Sequence, residues 1–523
     1  MPESTHIPLT ERTNGIFRRR TKRRYSPRLL AFGALLLLSP FAACPAGFGQ
    51  LANAVIPSEG SSAALRTTNH SRGTCFWLTT QRSVCNVREA LLGTQASPTP
   101  EHKISPAQAT ELFRSVDEIL KFASTETALP ERETVKRKLV SRDEVVAYLQ
   151  KHMDEDEDSQ RFRRSEVVLK KFGLIPRDFD LRPFLIGLLR EQIAGYYDPS
   201  TKTVNLLDWL DAEQQKPVLA HELTHALQDQ SFDLQKWMKG AEKDLITVDN
   251  PTSDDLDRDE AAEARQAVVE GQATVTLIDY ELIPAGMSMA GSPQIVEAMR
   301  ETMLAGTPDS VQYQKAPLFL KEALTFPYRY GVAFAGEVVA KRGKAGLNDL
   351  FKNPPTTTRQ IMEPATFLSA EKLPAMPVPN FKLLFKDYDT VDIGGFGEFD
   401  TAMLVGQLAT PAVAQKIYPH WRGGYYYAVR PKTKPTAPLG LLYVSRWSSS
   451  DKAAEFAKIY ADGIAKRYQK AVEVKLEVKV EDQSANRHWN TEEGPILIQT
   501  QGNLVLVAES LDHAEALLQA LVH

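Results

Sequence analysis

The chain has 523 residues, with 62 Lys and Arg against 66 Asp and Glu for a formal net charge of −4, 43% hydrophobic and 24% charged. This composition excludes a disordered or fibrous protein and leaves length for two or three domains. It also argues against nucleic acid as a partner, which calls for a basic surface.

Residues 1–46 depart from that average. Eight basic residues between Arg12 and Arg28 stand against Glu3 and Glu11, and the apolar run "LLAFGALLLLSPFAA" follows at 29–43. This is a secretory signal layout. The run is interrupted by Ser39 and Pro40 and is shorter than the roughly 20 residues that span a bilayer. A small-residue cleavage site follows Ala46, while "FAAC" ending at Cys44 is a loose lipidation box. Any membrane attachment would therefore be a lipid or an uncleaved anchor, and the expected location is periplasmic, envelope-associated or extracellular. Residues 47–105 are rich in Ser, Thr, Gly, Ala and Pro and read as a leader or linker. Within them, Cys75 and Cys85 of "CFWLTTQRSVC" can close a small disulfide loop in an exported chain.

From 106 to 160 the pattern is helical. "SPAQATELFRSVDEILKFAS" opens with a Ser-Pro start, and "SRDEVVAYLQKHM" opens with Ser141 and an acidic first turn. These read as accessory helices, and "DEDEDSQ" at 154–160 reads as a solvated turn. The catalytic unit is expected over 161–371. It begins with two helices flanking Gly173 and Pro176, followed by a turn at Asp198-Pro199-Ser200 and a strand at Thr203–Leu207.

The stretch "VLAHELTHALQDQ" at 218–230 carries His-Glu-x-x-His. At about 100° per residue, His221, Glu222, His225 and Asp229 share one sector of a helix, and Leu219, Leu223, Ala226 and Leu227 share the opposite one. Such a helix buries one face and offers chemistry on the other. Imidazoles at i and i+4 reach one zinc ion, and Glu222 stands beside the metal as general base for its water. Pro217 is expected near the first turn. A random occurrence of the motif in a chain with ten His has a probability on the order of one in a hundred.

A catalytic zinc takes three protein ligands and keeps one position open. The extended form His-x-x-Gly-x-x-His is excluded, because 228 is Gln and 231 is Ser, and there is no other His between His152 and His420. The third ligand is therefore sought among carboxylates of "DRDEAAEARQAVVEGQATVTLIDYEL", which offers Glu260, Glu263 and Glu270. Glu270 is preferred, because the small residues of "EGQAT" allow close approach to the motif helix; Glu263, on the same face, is second.

With these residues in view, the chain resembles the gluzincin clan of zinc metallopeptidases, in which a downstream Glu completes a His-Glu-x-x-His helix. More closely it resembles a set of bacterial predicted metallopeptidases, through "EQIAGYYDPSTKTVNLL", "VLAHELTHALQDQSFDL", "VVEGQAT", "FPYRYGVAF" and "NPPTTTRQIMEP". The likeness covers roughly residues 160–370. It implies one zinc on His221, His225 and Glu270, Glu222 as base, and a zincin-like α+β fold whose edge strand, here 203–207, pairs with extended substrate. Some gluzincins place an Asp four residues beyond the ligand Glu to orient the first His. Thr274 stands there in this chain, so Asp229 is considered for that support. Tyr196, Tyr197, Tyr328, Tyr330 and Arg359 are conceivable oxyanion donors, and spacing does not choose among them.

After the Pro-rich linker at 372–385, residues 386–523 read as an α+β accessory domain. "GGYYYAVRP" and "LGLLYVSRW" read as strands, "SSSDKAAEFAKIYADGIAKRY" as a capped helix, "PILIQTQGNLVLVAES" as a hairpin about Gly502-Asn503 and "DHAEALLQALV" as a closing helix. The whole reads as an exported α+β zinc metallopeptidase acting on peptide or protein substrates. The competing classes are a zinc-stabilised scaffold, which has no chemical need for Glu222, and a zinc hydrolase of non-peptide amides.

Overall fold

The computed structural model describes residues 103–154, 156–239, 256–291, 295–297, 310–474 and 486–521. The signal segment, the Cys44 box and the Cys75–Cys85 pair lie outside the described residues. The described part is mixed α+β, and none of its helices is long and apolar enough to cross a membrane.

Helix α1, Pro106–Thr127, starts with a capping box in which Ser105 Oγ accepts from the Gln108 amide at 3.3 Å and Gln108 Oε1 accepts from the Ser105 amide at 2.8 Å. Its apolar stripe Leu112, Val116, Ile119, Leu120 and Ala123 is buried. Strand β1, Lys136–Val140, follows. Residues 106–140 are thus more than the accessory helices expected, and β1 was not anticipated. Helices α2, Arg142–Asp154, and α3, Asp156–Phe172, come next. The acidic run read as a turn instead supplies the first turn of α3, where negative charge favours a helix N-terminus. Helix α4 is Leu181–Gln192.

Strands β2, Tyr196–Asp198, and β3, Thr203–Leu207, are joined by the expected turn. Asp198 Oδ1 accepts from the Ser200 amide at 2.9 Å, which fixes that turn. The sheet order is β1-β3-β2, with β1 parallel and β2 antiparallel to β3. Strand 203–207 is therefore central, contrary to the edge position expected of it. Val204, Leu206 and Leu207 are all buried, so both faces of β3 suit a covered strand and its two edges are taken by β1 and β2.

Helix α5, Ala212–Phe232, carries the His-Glu-x-x-His motif and is capped by Asp211 Oδ1, which accepts from the Glu213 amide at 2.9 Å. Pro217 falls in its second turn rather than its first, which leaves the Glu213 carbonyl without an amide donor four residues on. The apolar face, Leu219, Leu223, Ala226 and Leu227, packs on the stripe of α1. Each such large apolar side chain contributes about 1.5–3 kcal/mol on burial, so α1 is a main support of the motif helix. The polar face is also covered: every residue from Val218 to Asp229 is 3% exposed or less.

The polar face meets α6, Arg258–Leu282, which in turn packs on α7, Leu318–Arg342. A Cβ on Gly331 would stand 2.5 Å from the Ala267 carbonyl oxygen, and a Cβ on Gly271 would collide with the Gly331 carbonyl. Of the small residues after Glu270, Gly271 therefore serves the approach of α6 to α7, while the backbone of Ala273 lies against His221 of α5. Helix α8 is Thr358–Met362.

The C-terminal strands form one antiparallel sheet of order β4-β5-β6-β10-β9-β8-β7. They run Tyr388–Gly395, Trp421–Pro431, Gly440–Trp447, Ala471–Val474, Asn486–Thr491, Gly494–Gln501 and Leu504–Glu509 in chain order from β4 to β10. The expected strands, the hairpin about Gly502 at φ +55° and the helices Ser450–Asp462 and Ala514–Ala520 are present. Tyr425, Tyr426 and Tyr427 are buried in the sheet. Core side chains cross the Pro-rich segment: Phe172 of α3 lies 4.7 Å from Phe396 and 5.5 Å from Tyr443, centroid to centroid.

Candidate metal centre

Three donor atoms converge where α5 meets α6. Nε2 of His221 and Nε2 of His225 are 3.0 Å apart, and Glu270 Oε2 lies 3.1 Å from the first and 3.4 Å from the second. Donors held about 2.0–2.2 Å from one ion at tetrahedral angles stand about 3.4 Å apart, so these separations of 3.0 to 3.4 Å are within about 0.4 Å of such a set. It joins two ring nitrogens and a carboxylate in a site where none of the three residues exceeds 1% exposure. Glu263, two turns earlier on α6, is outside the donor group. Glu260 is committed elsewhere, its Oε2 accepting from the amide and the hydroxyl of Thr358 at 2.9 and 2.7 Å.

Glu222 is 2% exposed and accepts at Oε2 from the Tyr197 amide of β2 at 2.9 Å. The same Tyr197 donates its hydroxyl to Asp229 at 2.9 Å. Residues 222 and 229 are two turns apart on one face of α5, so Tyr197 fixes the register of β2 against the helix at two points. Asp229 also accepts from Lys202 at 2.5 Å and from the Leu234 amide at 3.0 Å. Its carboxylate is thereby engaged with β2, the following turn and the helix end, and the proposal that it supports a histidine is corrected. The histidine that receives side-chain support is the second one, from Gln228, whose Oε1 is 2.9 Å from His225 Nδ1.

Of the five conceivable oxyanion donors, the structure brings Tyr328 of α7 to the centre. Its ring stacks 6.1 Å from that of His221, and its hydroxyl faces Glu270. Tyr197 is held by Asp229, Tyr196 stacks at 4.9 Å on Tyr148, and Tyr330 stacks at 5.1 Å on Phe326. Arg359 is bound to Glu371, Glu398 and Glu363 at 2.9, 2.7 and 2.8 Å. Gln228 and Tyr328 are the residues that sequence reasoning left without an assigned role at the site. Gln228 lies within "HALQDQ", one turn beyond His225, and that spacing was the available signal.

The electrostatics follow from burial. Burial, together with the charge of Glu270, pushes Glu222 up to about 7 against the opposing influence of His225 and the Tyr197 amide. Burial also opposes charge on His225, but Glu270, Glu222 and Gln228 outweigh it and raise His225 to about 9. Burial and the neighbouring His225 hold His221 below the ordinary histidine range. Burial works against ionisation of Glu270, yet the two histidines keep it below the ordinary carboxylate range. Burial and the charges of Glu270 and Glu222 hold Tyr328 well above the usual tyrosine value, so it is a protonated donor at any working pH.

Comparison of the chain with protein-family models, with curated proteins and with solved structures finds no match.

Proposed function

We propose that the chain is an exported zinc metallopeptidase of the gluzincin kind, with a zincin-like catalytic domain at 161–371 and an accessory domain at 386–523. The observation that carries this reading is the convergence of His221, His225 and Glu270 at 3.0 to 3.4 Å with Glu222 one residue from the first ligand. A scaffold has use for the three ligands but none for the buried Glu222.

When bound, a zinc ion supplies Lewis acidity toward a carbonyl and lowers the pKa of water in its open position. Glu222, carried toward neutrality by burial, is poised to accept a proton from attacking water and to return it to the departing amine. The Tyr197 amide holds the Glu222 carboxylate in place throughout. Tyr328 donates toward the oxyanion that develops on the scissile carbonyl. Peptide main chain pairs along β2, the sheet edge whose Tyr197 amide touches Glu222.

The test is cleavage of a mixed pool of unfolded proteins and peptides by the chain beginning at Gly47, beside its Glu222→Gln variant and a chelated, zinc-restored sample. Cleavage that disappears in the variant and returns with zinc is expected. A folded, zinc-loaded chain that cleaves nothing would favour the scaffold, for which the burial of all four residues already speaks.

A further inference from the structure

A line of side-chain amides runs from the candidate centre to the end of α1. Gln228 Oε1 faces His225 Nδ1 at 2.9 Å, and Gln228 Nε2 donates to the Val269 carbonyl at 3.1 Å and to Gln272 Oε1 at 3.0 Å. Gln272 Nε2 donates to Asn348 Oδ1 at 2.8 Å, and Asn348 Nδ2 donates to the Thr127 carbonyl at 2.8 Å. Gln228 and Gln272 are 0% and 2% exposed, so neither exchanges these partners for water.

The line has only one self-consistent polarity. Thr127 is the last residue of α1, and helix-end carbonyls lack an intrahelical donor. A carbonyl can only accept, so Asn348 must present its NH₂ to Thr127 and its oxygen to Gln272. Gln272 then presents its oxygen to Gln228. The Val269 carbonyl independently demands the NH₂ of Gln228, which leaves Gln228 Oε1 turned toward His225. Flipping any one amide would set oxygen against oxygen inside the protein, at about 1–3 kcal/mol for each buried group left unsatisfied.

We infer that Gln228, oriented by Gln272, Asn348 and two backbone carbonyls, is the positioning residue that keeps the proton of His225 on Nδ1 and turns the Nε2 lone pair toward Glu270 and His221. The inference rests on the metal reading above, and it adds that the ligand tautomer is set by an uncharged amide and by α1 rather than by a carboxylate. Gln228 also ties α5 to Val269, the residue before Glu270, so one side chain sets both the tautomer of one ligand and the distance to the helix bearing another. The line explains why a segment as far off in sequence as α1 bears on the centre.

The test compares the full chain with Gln228→Leu and Gln228→Glu. Two things are read: zinc affinity by chelator competition, and the Nδ1–H signal of His225 in the zinc-loaded, nitrogen-15-histidine-labelled protein. Loss of such a partner is expected to weaken zinc binding about 10- to 100-fold in Gln228→Leu and to speed exchange of the Nδ1–H. Gln228→Glu keeps the acceptor, so zinc affinity is expected to stay within a few fold while thermal stability falls, because the Val269 and Gln272 oxygens lose their donor. If Gln228→Leu does not fold, Asn348→Ser opens the line at its half-exposed end and is expected to speed the same exchange in an intact fold. Wild-type zinc affinity and an unchanged signal in a folded Gln228→Leu, or in Asn348→Ser where Leu fails, would overturn the inference and leave the metal centre standing. A wild-type chain that binds no zinc would remove both.

Discussion

At the scale of single residues, the site divides into what a local spacing can reveal and what only packing can. His221, Glu222 and His225 were legible because i and i+4 on a helix determine which side chains share a face. Elimination of other histidines pointed only to a carboxylate among Glu260, Glu263 and Glu270; the choice of Glu270 came from the small residues of "EGQAT" and from the family resemblance. Gln228 stands one turn beyond His225, but the partners that orient its amide are 41 and 44 positions away, as Tyr328 is more than 100 from His221, and no spacing shows those. Asp229 was misassigned for the same reason, since sharing a helix sector with the histidines does not show that Tyr197 and Lys202 claim its oxygens. Glu222→Gln is expected to lower cleavage by at least 10² to 10⁴ fold while zinc content stays at wild-type level, read by turnover and metal analysis of one sample. Tyr328→Phe is expected to reduce kcat about 10²-fold or more with KM nearly unchanged; an equal loss in zinc content would assign it to packing instead. In the metal-free protein, against the effect of burial, Glu270, Glu222 and Gln228 raise His225 to about 9, so below that pH its Nε2 carries a second proton beside the one on Nδ1. Zinc must displace that second proton, so affinity is expected to rise about tenfold per pH unit between 7 and 9 and to level off above. Chelator competition across that range checks the slope.

Elements are held to each other by devices that composition shows only in part. "EGQAT" announced a close helix contact, yet the partner of Gly271 is Gly331 of α7, because a glycine records that something comes near and not what. Gly331→Ala is expected to destabilise the fold by about 1–3 kcal/mol through overpacking, seen as a lower denaturant midpoint. A wild-type midpoint would show that α6 and α7 can separate. A second joint lies between α3 and the C-terminal sheet, where Asp392 is fully buried, 3.9 Å from Arg164, and accepts from the Tyr426 hydroxyl at 3.0 Å. Burial pushes its pKa from the ordinary 3.8 up to about 7, against the pull of Arg164 and Tyr426. The folded state therefore holds this proton more tightly than the unfolded chain does. Its stabilising contribution is complete below about pH 4, shrinks as pH rises, and is gone above about pH 7. Asp392→Asn is expected to flatten the dependence of unfolding free energy on pH across that window. An unchanged pH profile in the variant would show that Asp392 is ionised in the fold.

For the molecule as a whole, the mixed class and most C-terminal elements could be read from alternation, caps and the Gly502-Asn503 turn. The strand order β4-β5-β6-β10-β9-β8-β7 could not, because pairing β6 with β10 joins segments with two helices and three strands between them. Nor could the parallel pairing of β1 with β3, which makes residues 106–140 part of the core that backs the motif helix. Removal of everything before Ser141 is expected to abolish cooperative unfolding, because it strips α1 from Leu219, Leu223, Ala226 and Leu227. A soluble chain that still unfolds cooperatively would restore the idea of a detachable segment. The central claim is that α5 and α6 together hold one zinc on two imidazoles and a carboxylate. Zinc-edge X-ray absorption on the stoichiometrically loaded chain, with Glu270→Gln alongside, tests it most directly. The expected result is one zinc per chain with a shell of nitrogen and oxygen at about 2.0–2.2 Å that includes two imidazoles, and zinc loss in the variant. A sulfur shell at about 2.3 Å, or full zinc retention in Glu270→Gln, would contradict it.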